Sequence, residues 1–125
     1  MYTLAVRHDF IARHFLVGGD WGPENLPNSH HYVLELQLEG KELDPHGYLT
    51  DIVEVEKHLN GVIGGYKEQL LNEKPEFKDL NPSLENFARI LACSLNERLT
   101  AKNLTVLKVV LWENASAWAS YSIQR

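Results

Sequence analysis

The stretch Asn28-Ser29-His30-His31-Tyr32-Val33-Leu34-Glu35-Leu36-Gln37-Leu38-Glu39 decides the fold. From Tyr32 to Glu39 it predicts a β-strand, in which Leu34, Leu36 and Leu38 alternate with Val33, Glu35, Gln37 and Glu39. Successive side chains of a strand point to opposite faces, so the alternation predicts one dry face and one wet or functional face. Upstream, Tyr2 to Phe15 is rich in β-branched and aromatic residues, with His8, Phe10, Ala12 and His14 at period two. That is a second strand with its own inward series. Between the two, Val17 to Ser29 carries Gly-Gly-Asp, Gly-Pro, Leu-Pro and Asn-Ser, which predicts a long shaped loop.

Downstream the period changes. Asp51 and Glu54 form a plausible capping box, and Ile52, Val55, Leu59, Val62 and Ile63 fall on one helical stripe. Tyr66 to Leu80 reads as an irregular stretch broken by Pro75. Asn81 and Pro82 open a second helix, whose stripe is Leu84, Phe87, Ala88, Leu91 and Leu95. Thr105 to Trp112 and Trp118 to Ile123 read as a closing hairpin. The order β-β-α-α-β-β predicts an α+β fold: a four-stranded antiparallel sheet with two helices on one face, in one domain spanning 1–125. Its edge strands need covering, and pairing with a neighbouring subunit would do it.

Composition narrows the function. Twelve basic and 17 acidic residues give a net charge of −5, without the basic footprint of a nucleic-acid binder. No apolar run approaches the ~20 residues that span a bilayer. Met1-Tyr2-Thr3-Leu4 lacks the basic-then-apolar pattern of a signal peptide. A lone cysteine, Cys93, fits a reducing compartment, so a cytoplasmic location is expected. Cys93 falls beside the apolar stripe of the second helix and reads as a small core residue.

Six histidines stand against that one cysteine. His14 ends the first strand, and His30 and His31 begin the second, so an antiparallel pair brings His14 close to one of them. Asn28 and His30 share a face, whereas His31 points to the other. The expected zinc set is therefore His14, His30 and Asn28, with an open fourth position. The alternative is a group of polar side chains near a loop, without metal. Glu113 continues the inward series Leu107, Val109, Leu111. A carboxylate there suits the paired N–H donors of an amino-pyrimidine edge. The alternative is a hairpin residue facing water. Trp112 and Trp118, flanking the same turn, read as core or interface anchors.

Six segments in order resemble the 6-pyruvoyl tetrahydropterin synthase family, including its bacterial branch, the 6-carboxytetrahydropterin synthases of queuosine biosynthesis. Phe10-Ile-Ala-Arg-His14 is similar to the family's Phe-x-Ala-x-His strand, and Asn28-Ser-His30-His31-Tyr32 to its His-Gly-His-x-Tyr strand. Gly47-Tyr-Leu-Thr-Asp51-Ile52 resembles a Gly-Met-Val-x-Asp-Phe helix start. Leu71-Asn-Glu-Lys-Pro75-Glu-Phe77 and Asn81-Pro-Ser83-Leu-Glu85-Asn86 resemble Leu-Asn-x-x-Pro-x-Phe and Asn-Pro-Thr-x-Glu-Asn. Val110-Leu-Trp-Glu113 resembles the strand that carries a pterin-anchoring carboxylate.

The resemblance implies the tunnelling fold, in which trimers, often stacked as hexamers, close a barrel. It implies a pterin substrate of the dihydroneopterin triphosphate type, zinc held by three histidines, and substrate contacts at Glu113 and Ser83. It also implies a cysteine base and an Asp-His pair. Here the first histidine of His-Gly-His is Asn28, the cysteine position holds Glu24, and the pair is replaced by Lys67-Glu68. Glu24 is accordingly expected as the catalytic base of a lyase or aldolase, as in family members with a glutamate near that position. A one-residue slip in the loop would instead make His31 a ligand. The alternative is a homologue that binds a pterin or purine-like ring without the synthase reaction.

Overall fold

The computed structural model covers residues 1–125. Strand β1 (Tyr2–His14) pairs antiparallel with β2 (Asn28–Gly40) in unbroken register, from Tyr2 opposite Gly40 to His14 opposite Asn28. β2 thus begins four residues earlier than its alternation alone indicated, because the ladder with β1 runs on into the expected loop. Strand β3 (Val106–Trp112) pairs with the C-terminal half of β2, and β4 (Trp118–Gln124) completes the sheet in the order β1-β2-β3-β4. Helix α1 (Ile52–Gly64) packs over β1, and α2 (Leu84–Arg98) over β3 and β4. The expected element order and sheet hold.

Period two explains the layers. Val6, Phe10, Ala12 and His14 of β1 and Tyr32, Leu34, Leu36 and Leu38 of β2 are buried. They meet Val55, Leu59, Val62 and Ile63 of α1 and Phe87, Ala88, Leu91 and Leu95 of α2 in one continuous core. Ile52, expected on the α1 stripe, is largely exposed instead. The opposite sheet face is mixed, with charged and polar groups beside Ile11, Val33, Val110, Trp112 and Trp118. There Arg7 Nη2 donates to Glu35 Oε1 at 2.9 Å, and His31 Nε2 lies 2.6 Å from Asp9 Oδ2.

The helix starts depart from expectation in detail. Asp51 caps α1, its Oδ1 accepting from Val53 N at 2.9 Å. No hydrogen bond from Glu54 closes the box. α2 starts at Leu84, beyond Pro82, because the Ser83 hydroxyl accepts from Asn86 N at 3.2 Å and sets the N-cap. A serine cap of this kind is worth about 1 kcal/mol. Cys93 is exposed, not a core residue, because the inward stripe of α2 runs through Leu91, Ala92 and Leu95.

The segment between the helices has a positional job. Glu68 N donates to Ile11 O at 2.7 Å, and Arg13 N donates to Gln69 O at 2.9 Å. Asn72 clamps the next residues: its Oδ1 accepts from Phe15 N and its Nδ2 donates to Phe15 O, both at 2.9 Å. The outer edge of β1 is therefore covered near His14, while the outer edge of β4 has no partner within the chain.

Candidate functional site

The site lies where the β1–β2 ladder ends. His14 is the last residue of β1, on the inward face and 2% exposed. His30 stands on the same face of β2, and the two rings lie 4.5 Å apart between centroids. Glu24 arrives from a short turn of 3-10 helix, Gly22–Asn25. That turn is anchored to the end of β1. Leu16 N donates to Glu24 O at 2.7 Å, and Asn25 Nδ2 donates to Leu16 O and Gly19 O. Glu113 follows β3, and its N–H donates to Ala117 O at 3.1 Å, holding the tight turn.

Four side chains converge. One ligand atom from each of His14, Glu24, His30 and Glu113 lies within 4.8 Å of the others. Glu24 Oε1 is 3.1 Å from His30 Nε2 and 3.6 Å from His14 Nε2. Glu113 Oε1 is 3.7 Å from the other nitrogen of His30, Nδ1. His14 Nδ1 lies 3.1 Å from the Tyr32 hydroxyl. Each imidazole thus turns Nε2 toward Glu24 and Nδ1 away from it.

Electrostatics favour the neutral form of His14. Burial holds the His14 pKa below the usual imidazole range, the neighbouring His30 lowers it further, and Glu24 opposes both. Burial also pushes the Tyr32 phenol up, reinforced by the charges of Glu113 and Glu24, so Tyr32 stays a neutral hydroxyl. His14 Nε2 is buried and has no hydrogen-bond partner. Buried polar atoms are rarely left unpaired. An orphaned imidazole nitrogen beside a second imidazole and a carboxylate is a donor set that fits zinc.

The sequence candidates fall into place unequally. His14, His30 and Glu24 come together, and Glu113 joins them from β3. Asn28 sits opposite His14 in the ladder. Its Nδ2 donates to His14 O at 3.2 Å and Leu26 O at 2.9 Å, so its amide ties the returning loop to β1. The Glu24 carboxylate lies within 4.8 Å of both imidazoles. His31 points to the opposite sheet face, 61% exposed and paired with Asp9. Ser83 caps α2, and no hydrogen bond joins it to Glu113. Tyr32 was missed as a site residue. Its signal was its parity, since it lies two residues beyond His30 on the same inward face.

A cavity of about 550 Å³ adjoins the cluster at Glu113. Arg7, His31, Val33 and Trp112 line it from the open face of the sheet.

Comparison with known proteins bears on the fold and the family. No curated protein matches the chain by sequence. A Caenorhabditis elegans 6-pyruvoyl tetrahydropterin synthase structure is similar over 96% of this chain and 94% of its own, with 24% identity and a TM-score of 0.84. A Plasmodium vivax 6-pyruvoyltetrahydropterin synthase covers 99% and 98%, with 15% identity and a TM-score of 0.81. A Burkholderia thailendensis dihydroneopterin aldolase bound to guanine is a more distant likeness, with 9% identity, 99% and 89% coverage and a TM-score of 0.52. These structures share the fold. The family model for 6-pyruvoyl tetrahydropterin synthase matches residues 3–124, nearly the whole chain, and the chain therefore belongs to the 6-pyruvoyl tetrahydropterin synthase family.

Proposed function

We propose that this protein acts on a reduced pterin of the dihydroneopterin triphosphate type, in zinc-dependent lyase or aldolase chemistry. The observation that carries this is the convergence of His14, Glu24, His30 and Glu113 around an orphaned, buried imidazole nitrogen. Bound zinc polarises the side-chain oxygens of such a substrate and acidifies the adjacent C–H. His14 and His30 hold the metal through Nε2. Glu113 accepts the paired N–H donors of the amino-pyrimidine edge. Ser83, whose hydroxyl accepts the α2 cap bond and keeps its O–H to donate, is the second substrate contact. Glu24 works at the reacting end, as proton acceptor or as metal ligand. Two relatives support these roles. One Plasmodium vivax structure carries alanine in place of a catalytic glutamate, and the Burkholderia aldolase binds guanine, which has an amino-pyrimidine edge.

A second reading is favoured by Lys67-Glu68, which stands where the resemblance implies an Asp-His pair. It has the protein bind the ring without turning it over. Calorimetry with dihydroneopterin compounds, paired with product analysis on zinc-supplemented protein, separates the two. Binding with product is expected. Binding without product supports the second reading, and neither would overturn both.

The unpartnered β4 edge supports assembly as a trimer or hexamer, because an open strand edge leaves backbone groups unpaired. The native mass should be three or six times the 14.3 kDa of one chain. A monomer by light scattering would count against it.

A further inference from the structure

Only two imidazoles, His14 and His30, reach this site, and Asn28 stands where the resemblance implies a third, its Nδ2 donating to the main-chain carbonyls of His14 and Leu26. We propose that Glu24 is the third protein ligand of that metal, bound through Oε1, and that it replaces the missing histidine. This assignment rests on the zinc reading above and gives Glu24 a holding role in place of the proton-accepting one.

Spacing is the first argument. Tetrahedral zinc with ligand bonds of about 2.0–2.2 Å sets its ligand atoms roughly 3.3–3.6 Å apart. Glu24 Oε1 stands 3.1 Å from His30 Nε2 and 3.6 Å from His14 Nε2. The His14 distance falls in that range and the His30 distance is about 0.2 Å short of it, so one oxygen reaches both imidazoles and a small outward shift from His30 would admit the ion. Orientation is the second. The Nδ1 atoms of His14 and His30 face Tyr32 and Glu113, which leaves both Nε2 atoms for the point that Glu24 shares. Partners on the far nitrogen are how metal-binding imidazoles are oriented. The third is the unpartnered His14 Nε2, buried and directed into the group. The fourth is rigidity. The Glu24 carbonyl is tied to Leu16, and the Asn25 side chain is bonded to Leu16, Gly19 and Trp21, so the carboxylate is delivered from a fixed frame.

An anionic third ligand has a chemical consequence. Two neutral imidazoles and one carboxylate leave the centre one positive charge lower than three imidazoles would. The metal is then a weaker Lewis acid than in a three-histidine site.

Co(II) reports ligand geometry where zinc is silent. Metal-free protein titrated with Co(II) should take up one ion per chain and show the intense visible bands of a tetrahedral site. Glu24→Gln keeps the shape of the side chain and lies on a surface turn. It should lower Co(II) affinity at least tenfold and abolish those bands, since even outer partners of metal ligands are worth roughly 10–100-fold. Unchanged affinity and spectrum in Glu24→Gln would overturn the assignment. X-ray absorption of the zinc-loaded wild type needs no variant: two imidazoles are expected, and three would overturn the assignment. If the wild type binds neither Co(II) nor zinc, the ligand assignment fails together with the zinc reading. Dihydroneopterin binding to that same metal-free protein then shows whether the pterin reading survives.

Discussion

Phe87→Ala should destabilise the protein by about 3–5 kcal/mol, the range for emptying a fully buried aromatic site. Phe87 is 0% exposed and is the hub of an aromatic cluster. Its ring lies 6.0 Å from Phe10, 5.2 Å from Tyr32, 5.3 Å from Tyr66 and 5.6 Å from Phe77, in edge-on arrangements that suit aromatic quadrupoles. Four neighbouring rings on three separate parts of the chain cannot collapse together into the gap. The cavity therefore persists, and lost transfer energy and lost packing add. Native domains are stable by only about 5–15 kcal/mol, so much of the margin would go. Urea unfolding of wild type and variant at equal protein concentration checks the value. A loss under 1 kcal/mol would contradict the packing account. The same substitution should loosen Tyr32 and, through it, His14, so Co(II) binding should weaken alongside stability.

Glu113→Ala should lower pterin affinity by about 100-fold, while the melting temperature of the free protein stays close to wild type. A hydrogen bond to a charged group is worth about 1.5–3 kcal/mol, and the amino-pyrimidine edge offers two donors to one carboxylate. Each 1.4 kcal/mol is a factor of ten in affinity. Stability should change little because the side chain is part-exposed and makes no hydrogen bond, the His30 Nδ1 atom lying 3.7 Å away. The turn itself is held by main-chain and Asn114 bonds, not by the Glu113 carboxylate. Glu113→Gln should also bind weakly, because one oxygen becomes an N–H that meets a donor. Calorimetry with a dihydroneopterin ligand reads both variants. Wild-type affinity in Glu113→Ala would remove this residue as the anchor.

Much of the fold was legible because burial imposes a period. Leu34, Leu36 and Leu38 marked one strand, and Phe10, Ala12 and His14 marked its partner. Ends were less legible. Asn28 to His31 carry no apolar alternation, so β2 seemed to start at Tyr32, and only pairing with β1 extends it. Ser83 displaced Pro82 as the signal for α2, since a side-chain hydroxyl bonded to a free N–H outweighs a backbone angle that merely permits a helix. Cys93 looked inward beside the stripe of α2, yet the helix turned it out.

The site divides along the same line. Local sequence by itself determined that His14 and His30 share a face and a strand end, because antiparallel pairing and period two leave little freedom. It also determined the family, through six short segments in one order. What only the tertiary structure decided is which groups complete the imidazole pair. Glu24 lies on an aperiodic turn and Glu113 lies 83 residues after His30. Neither approach is set by local propensity. Loop closure against Leu16 brings the first, and the pairing of β3 with β2 brings the second. The main-chain partners of the Asn28 Nδ2 were decided there too, since no spacing rule reveals them.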